Sequence, residues 1–229
     1  MFIPLYDGVA LRFMKRPTAT YVILGLNVLM YLLVSSGLLG REDRIDVALG
    51  MIPAVVFGSA KIDPSIALVP GVLTFFTGIF LHGGFLHLLG NMLFLWVFGD
   101  NVEDAMGSLR FTIFYLACGI AGALLFALVR QNSQSPLIGA SGAISGVVVA
   151  YLMLYPRVHV FGLAFAWLPI SIAAIYVILA WITLQIGSAL FSSDPEVGWW
   201  AHVGGIAAGA VLTPLLKRSE VPLFGTRTA

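Results

Sequence analysis

Ser141, within Gly139-Ala140-Ser141-Gly142, and His202 each stand close to the start of an apolar segment. A hydroxyl and an imidazole are the pair that acyl transfer needs: serine attacks poorly until a neighbouring base accepts its proton, and neutral histidine can accept it. Such groups are costly inside a bilayer, so their presence in apolar segments marks a functional site by default. A third apolar segment carries His87 and Asn91, spaced i, i+4 and therefore on one helix face. Both can donate a hydrogen bond toward one point. His82 precedes Gly83-Gly84 in the approach to that helix. No Asp or Glu is placed to orient the histidine, which predicts a Ser–His dyad and not a triad.

Composition defines the elements that must hold these groups. The chain has 229 residues, 59% hydrophobic and 10% charged, with mean hydropathy +0.98. A soluble domain carries about 25% charged residues, so this surface does not suit water all round. The class is an all-α polytopic membrane protein. A net charge of +1 gives no electrostatic basis for a nucleic-acid partner. The single cysteine, Cys118, excludes an intramolecular disulfide, and no Cys/His cluster has zinc-ligand spacing. The first apolar segment lacks an A-x-A-like cleavage site and reads as a retained span.

Hydropathy predicts six spans, at about 20–39, 83–98, 111–129, 137–155, 169–191 and 198–216, forming one domain over residues 1–229. Pro169 is read as the start of the fifth, dividing a long apolar run from Val158 to Phe191. Basic residues set the orientation. With the N-terminus inside, eight fall on the inner side (Arg12, Lys15, Arg16, Arg110, Arg157, Lys217, Arg218, Arg227) and four outside (Arg41, Arg44, Lys61, Arg130), so both termini are expected in the cytoplasm. The acidic cluster Asp100–Asp104 is expected to cap and solvate the turn into the third span. Trp199, Trp200 and Tyr155 read as interfacial aromatics. Residues 40–81 form a long connection, too apolar for a flexible linker and broken by Pro53, Pro64 and Pro70, read as a folded outer-side insertion.

In this topology spans two, four and six all begin on the outer side. Ser141 then lies four residues after Leu137, His202 four after Gly198, and His87 and Asn91 four and eight after Gly83. At about 1.5 Å per residue these groups share a depth of roughly 6–12 Å below the outer helix ends. Gly142 and Gly146 give span four a small-xxx-small face, and Gly205 and Gly209 give span six another. Small residues let helices approach closely in lipid, so the predicted packing sets helix four against helix six, beside Ser141 and His202.

His82-x4-His87-x3-Asn91, Gly139-Ala140-Ser141-Gly142 and His202-x2-Gly205-x3-Gly209 together, in this order and on these spans, resemble the rhomboid family of intramembrane serine proteases. The resemblance covers about Thr20 to Leu216. It implies a bacterial-type six-transmembrane-helix bundle with a long insertion after the first helix. It also implies Ser141 as nucleophile, His202 as general base and later acid, and an oxyanion hole of Asn91, His87 and the Ser141 amide. Gly139 would shape the turn and His82 would support the site. Single-span transmembrane proteins would be the substrates, cut in or near the bilayer without metal or cofactor; no oligomeric state is specified. The sequence departs from the family pattern in carrying Ser145 where some members place a ring beneath the histidine.

Two other functions fit the same helices. A rhomboid-like scaffold would bind membrane helices without cutting them, and would not need both Ser141 and His202. A small transporter would need polar groups through the full depth, whereas Val147–Leu154 and Ile206–Leu215 are nearly free of them.

Overall fold

The computed structural model describes residues 2–192 and 197–225. Among these, five helices are long and apolar enough to cross a membrane: α1 (Thr18–Ser35), α5 (Phe85–Met106), α6 (Ser108–Val129), α8 (Ala174–Phe191) and α9 (Trp199–Leu216). A sixth apolar helix, α7 (Ser141–Leu154), has 14 residues. At 1.5 Å per residue it is about 21 Å long, short of the roughly 30 Å hydrocarbon core. The architecture is a polytopic helical bundle.

Packing around α7 and α9 explains why glycine recurs there. A Cβ at Gly205 would fall on the Gly142 carbonyl oxygen, and one at Gly209 would lie 2.6 Å from Gly146 Cα. The α7–α9 backbones therefore touch directly. A second seam escaped the sequence reading: α6 also lies against α9, with a Gly204 Cβ meeting Gly122 Cα at 2.8 Å and a Gly122 Cβ meeting the Ala201 carbonyl oxygen at 2.5 Å. Where lipid supplies little hydrophobic drive, such close contact provides the dispersion energy of association. Cys118 is buried against this junction, beside Gly146.

Several span boundaries differ from the hydropathy reading. Helix α5 continues past Phe98 to Met106. Helix α7 begins at Ser141, not Leu137, because Leu137 is tied in a β-bridge to Met51, its amide donating to the Met51 carbonyl at 2.8 Å. The expected fifth span starts at Ala174, not Pro169. The preceding residues form a small antiparallel sheet in the order β1 (Phe2–Tyr6), β2 (His159–Ala164), β3 (Leu168–Ala173). Pro169 sits on the edge strand β3, where a missing N–H costs no ladder bond. The β2–β3 loop is unusual in that Phe165 and Ala166 take φ of 53° and 69° without being glycine or asparagine.

The acidic residues near the α5–α6 turn are buried, not solvated. Glu103 is 0% exposed and accepts hydrogen bonds from the Ala19 amide (2.9 Å), the Thr20 amide (2.7 Å) and hydroxyl (2.8 Å), and the Ser108 hydroxyl (2.6 Å). Those two amides are orphan donors of the first turn of α1, so a carboxylate there satisfies them and opposes the helix dipole. Asp104 accepts from the amides of Arg12, Phe13 and Met14 at 2.7–2.9 Å, fixing the segment before α1. Asp7, between β1 and α1, accepts from Asn101 Nδ2 (2.8 Å) and the Tyr151 hydroxyl (2.7 Å). Burial pushes the Asp7 carboxyl up from its ordinary range, against the opposing pull of the Tyr151 hydroxyl and the Val9 amide. Tyr155 is likewise 2% exposed and belongs to the core, not to an interfacial belt.

The insertion is folded as expected, with α2 (Glu42–Leu49), α3 (Pro53–Val56) and α4 (Thr74–Thr77), the last flanked by 3₁₀ turns. Together with residues 136–139 it closes the end of the bundle at which α7 starts. Strand β1 and the segment around Phe224, whose amide donates to the Met153 carbonyl at 2.6 Å, both lie at the opposite end. Arg227, counted above among the inner-side charges, lies outside the described residues.

Candidate active site

Ser141 is the first residue of α7 and follows Gly139, whose φ of +121° is a conformation that side-chain-bearing residues avoid. A side chain at Gly139 would also collide with the His87 ring, 2.8 Å from its Cβ position. The Gly139 amide donates to the Gly78 carbonyl at 2.9 Å, and Gly78 passes within contact of Leu137. The turn is thus held from the insertion side, and α7 starts recessed below its neighbours. Ser141 reaches the depth of His202 by this late start, not by lying one turn inside a longer helix.

His202 lies one turn into α9, and its Nε2 is 2.8 Å from Ser141 Oγ. This is an ordinary O–H···N hydrogen-bond distance, suited to proton transfer. The other ring nitrogen, Nδ1, lies 3.3 Å from Gln185 Oε1 on α8. The Trp199 ring meets the imidazole edge-on, centroids 5.7 Å apart at 88°. Trp199 therefore packs on His202 and is not merely an interfacial aromatic. Its i, i+3 spacing from His202 on α9 was the available signal. Ser145, 1% exposed, donates to the Ser141 carbonyl at 2.6 Å, so its hydroxyl is engaged along α7.

Donors for an oxyanion converge on the same place. Ile144 is the first amide of α7 bonded back along the helix, to Ala140 at 3.0 Å, which leaves the amides at its start free of helical partners. Asn91 is 8% exposed and donates one Nδ2 hydrogen to the His87 carbonyl at 3.0 Å; its amide has a second hydrogen to offer. His87 and Asn91 both face the cavity that contains Ser141 and His202. His82 stands behind them, buried, its ring edge-on to His87 at 5.1 Å, and does not line that cavity. Gly142, Gly146, Gly205 and Gly209 serve the helix seam beside the pair.

The cavity has a volume of about 860 Å³ and is bounded by α5 on one side and α8 on the other, with Phe94 and Trp181 facing at 6.2 Å between centroids. That volume suits several residues of peptide. At its rim, burial together with the neighbouring Glu42 and Asp43 pushes the Asp46 carboxyl up to about 6. Among the described residues no cluster of metal-ligating side chains occurs. A hydroxyl, a base and preorganised amide donors around one apolar cleft can carry out acyl transfer.

The Rhomboid domain family matches residues 70–219. Rhomboid protease GluP of Bacillus subtilis (strain 168) is 30% identical over 212 residues, covering 93% of this chain and 37% of that protein. RHOMBOID-like protein 1 of Arabidopsis thaliana is 35% identical over 138 residues, 60% of this chain and 32% of its own length. RHOMBOID-like protein 2 of the same plant is 34% identical over 158 residues, 66% of this chain and 44% of its own. The chain thus spans between about a third and a half of the length of these relatives. With an apolar helical bundle and a matching domain over most of its length, the chain is an integral membrane protein that belongs to the rhomboid family.

Proposed function

We propose that this protein is an intramembrane serine endopeptidase that hydrolyses peptide bonds in or near the transmembrane segments of other membrane proteins. The observation that carries the reading is the 2.8 Å contact between Ser141 Oγ and His202 Nε2 at the base of the apolar cleft. Ser141 Oγ attacks the scissile carbonyl carbon as its proton passes to Nε2. The resulting oxyanion is met by the free amides at the start of α7, by Asn91 and by His87. Collapse breaks the C–N bond, and the imidazolium returns its proton to the departing amine. Water, deprotonated by His202, then attacks the ester carbonyl; collapse expels Ser141 Oγ, which regains its proton from the imidazolium, and frees the acid. No step draws on a metal or cofactor.

A substrate helix shields its own peptide bonds, so it must unwind locally before Ser141 can reach one. Substrates with Gly, Ser or Pro near the cut are expected to be preferred, because each weakens a helix by roughly 0.5–3 kcal/mol relative to alanine. In proteoliposomes, replacing such residues of a single-span substrate by Leu should lower the cleavage rate about tenfold for each 1.4 kcal/mol of helix restored. Equal rates for both substrates would contradict the unwinding step.

The same reading places both termini in the cytoplasm of a bacterial cell and the cleft toward the outer face. The basic-residue bias supports this, as does the gathering of β1 and the Phe224 segment at the end away from Ser141. Green fluorescent protein fused after Ala229 and expressed in bacteria should fluoresce, and alkaline phosphatase fused there should be inactive. The reverse result would invert the orientation.

A further inference from the structure

Helix α8 is the most exposed of the long helices, with only Ala174, Ile178 and Gln185 buried. These positions lie on one face, at i, i+4 and i+11, and the flanking Leu184 and Ile186 are 67% and 41% exposed. An amide on an otherwise apolar buried stripe is costly unless it is hydrogen-bonded. Gln185 is 7% exposed, and its Oε1 lies 3.3 Å from His202 Nδ1.

This contact constrains the imidazole. An amide oxygen only accepts, so the ring must carry its proton on Nδ1, and Nε2 then holds a lone pair toward Ser141 Oγ, 2.8 Å away. In the opposite tautomer Nε2–H would point at the serine and the ring could not take its proton. We infer that Gln185 is the positioning residue of the site: it selects the base-competent tautomer of His202 and fixes the ring plane, the task that an acidic residue performs in a Ser–His–Asp triad. Being uncharged, it does so without the electrostatic stabilisation of the imidazolium that a carboxylate provides.

Elsewhere around the ring, Trp199 supplies an edge, His87 approaches from α5, and Asp46 of α2 borders the same cavity. None of these reaches Nδ1 with an acceptor in the described residues.

The kinetic part of this inference rests on the proposed protease reading, and the tautomer part does not. The chain has four histidines, so nitrogen-15 NMR of histidine-labelled protein in nanodiscs can resolve His202, assigned by the signal that His202→Ala removes. The wild type should show Nδ1–H at His202. Gln185→Leu should mix the tautomers, lower kcat about tenfold and leave KM within about twofold. Gln185→Glu should restore Nδ1–H, recover much of kcat and move the acid limb of the pH–rate profile upward by about one unit, since a carboxylate favours the imidazolium. A wild-type tautomer ratio in both Gln185→Leu and Gln185→Met would overturn the inference. Undiminished cleavage by Ser141→Ala would overturn the protease reading instead, with the tautomer result unaffected.

Discussion

Ser141→Ala and His202→Ala should each lower the rate of substrate cleavage at least about a thousandfold, and the double variant should be no worse than either. Residues that act as a unit lose nearly everything when one member is removed. A factor of a thousand corresponds to about 4 kcal/mol of transition-state stabilisation. The structure gives this expectation a specific basis. Ser141 is the first residue of α7, with Oγ 2.8 Å from His202 Nε2, and truncating it to alanine disturbs neither the Gly142–Gly205 seam nor the Gly139 turn. The variant should therefore fold as the wild type does, and cleavage measured in proteoliposomes against matched thermal unfolding separates chemistry from stability. Additive losses in the double variant would show that the two groups do not act together.

Gly205→Leu should be the most destabilising single substitution in the bundle, by at least about 3 kcal/mol. Its Cβ would occupy the position of the Gly142 carbonyl oxygen and press on Ser145 Cβ at 3.2 Å. Backbone cannot rotate away as a side chain can, so α7 and α9 must separate, and with them Ser141 and His202. Gly187→Leu on α8 is the matched control. Nothing lies within 4 Å of a Cβ there, and replacing a helical glycine is expected to be neutral or to stabilise by up to about 1 kcal/mol. Unfolding in graded detergent, read by circular dichroism, should separate the two variants clearly. Equal midpoints would mean that the seam is not what holds these helices together.

The sequence displayed the chemistry better than the scaffold. Ser141, His202, His87 and Asn91 stood out because polar groups are scarce in apolar segments, and Gly142, Gly146, Gly205 and Gly209 because their spacing repeats on one face. The start of α7 is not legible: Leu137 and Ile138 are apolar enough to continue the helix, and the pairing of Leu137 with Met51, the packing of Ile138 against Gly50 and the non-helical turn at Gly139 stop them. The sheet was hidden for a related reason. Short apolar runs such as His159–Ala164 suit a strand or a buried helix equally, and the loop that reverses them uses Phe165 and Ala166 at positive φ instead of the glycine or asparagine that would have marked it.

The group beside His202 Nδ1 is not legible in the sequence, because an uncharged amide in an apolar helix carries none of the signal of an Asp or Glu. Gln185 lies sixteen positions after Pro169, and its approach to His202 depends on which face of α8 is turned inward. Glu103 and Asp104 illustrate the same point from the other direction. Their charge suggested water, but each finds backbone amides near the start of α1 and is buried for that reason. Single residues announce chemistry, while long-range partners decide where that chemistry is placed.

The most direct measurement of the central claim is covalent labelling of the intact protein in detergent or nanodiscs with a fluorophosphonate, followed by mass spectrometry of the peptide that carries the adduct. One phosphonylated residue is expected, Ser141, with labelling abolished in Ser141→Ala and strongly slowed in His202→Ala. An adduct on another residue, or labelling that persists in Ser141→Ala, would contradict it.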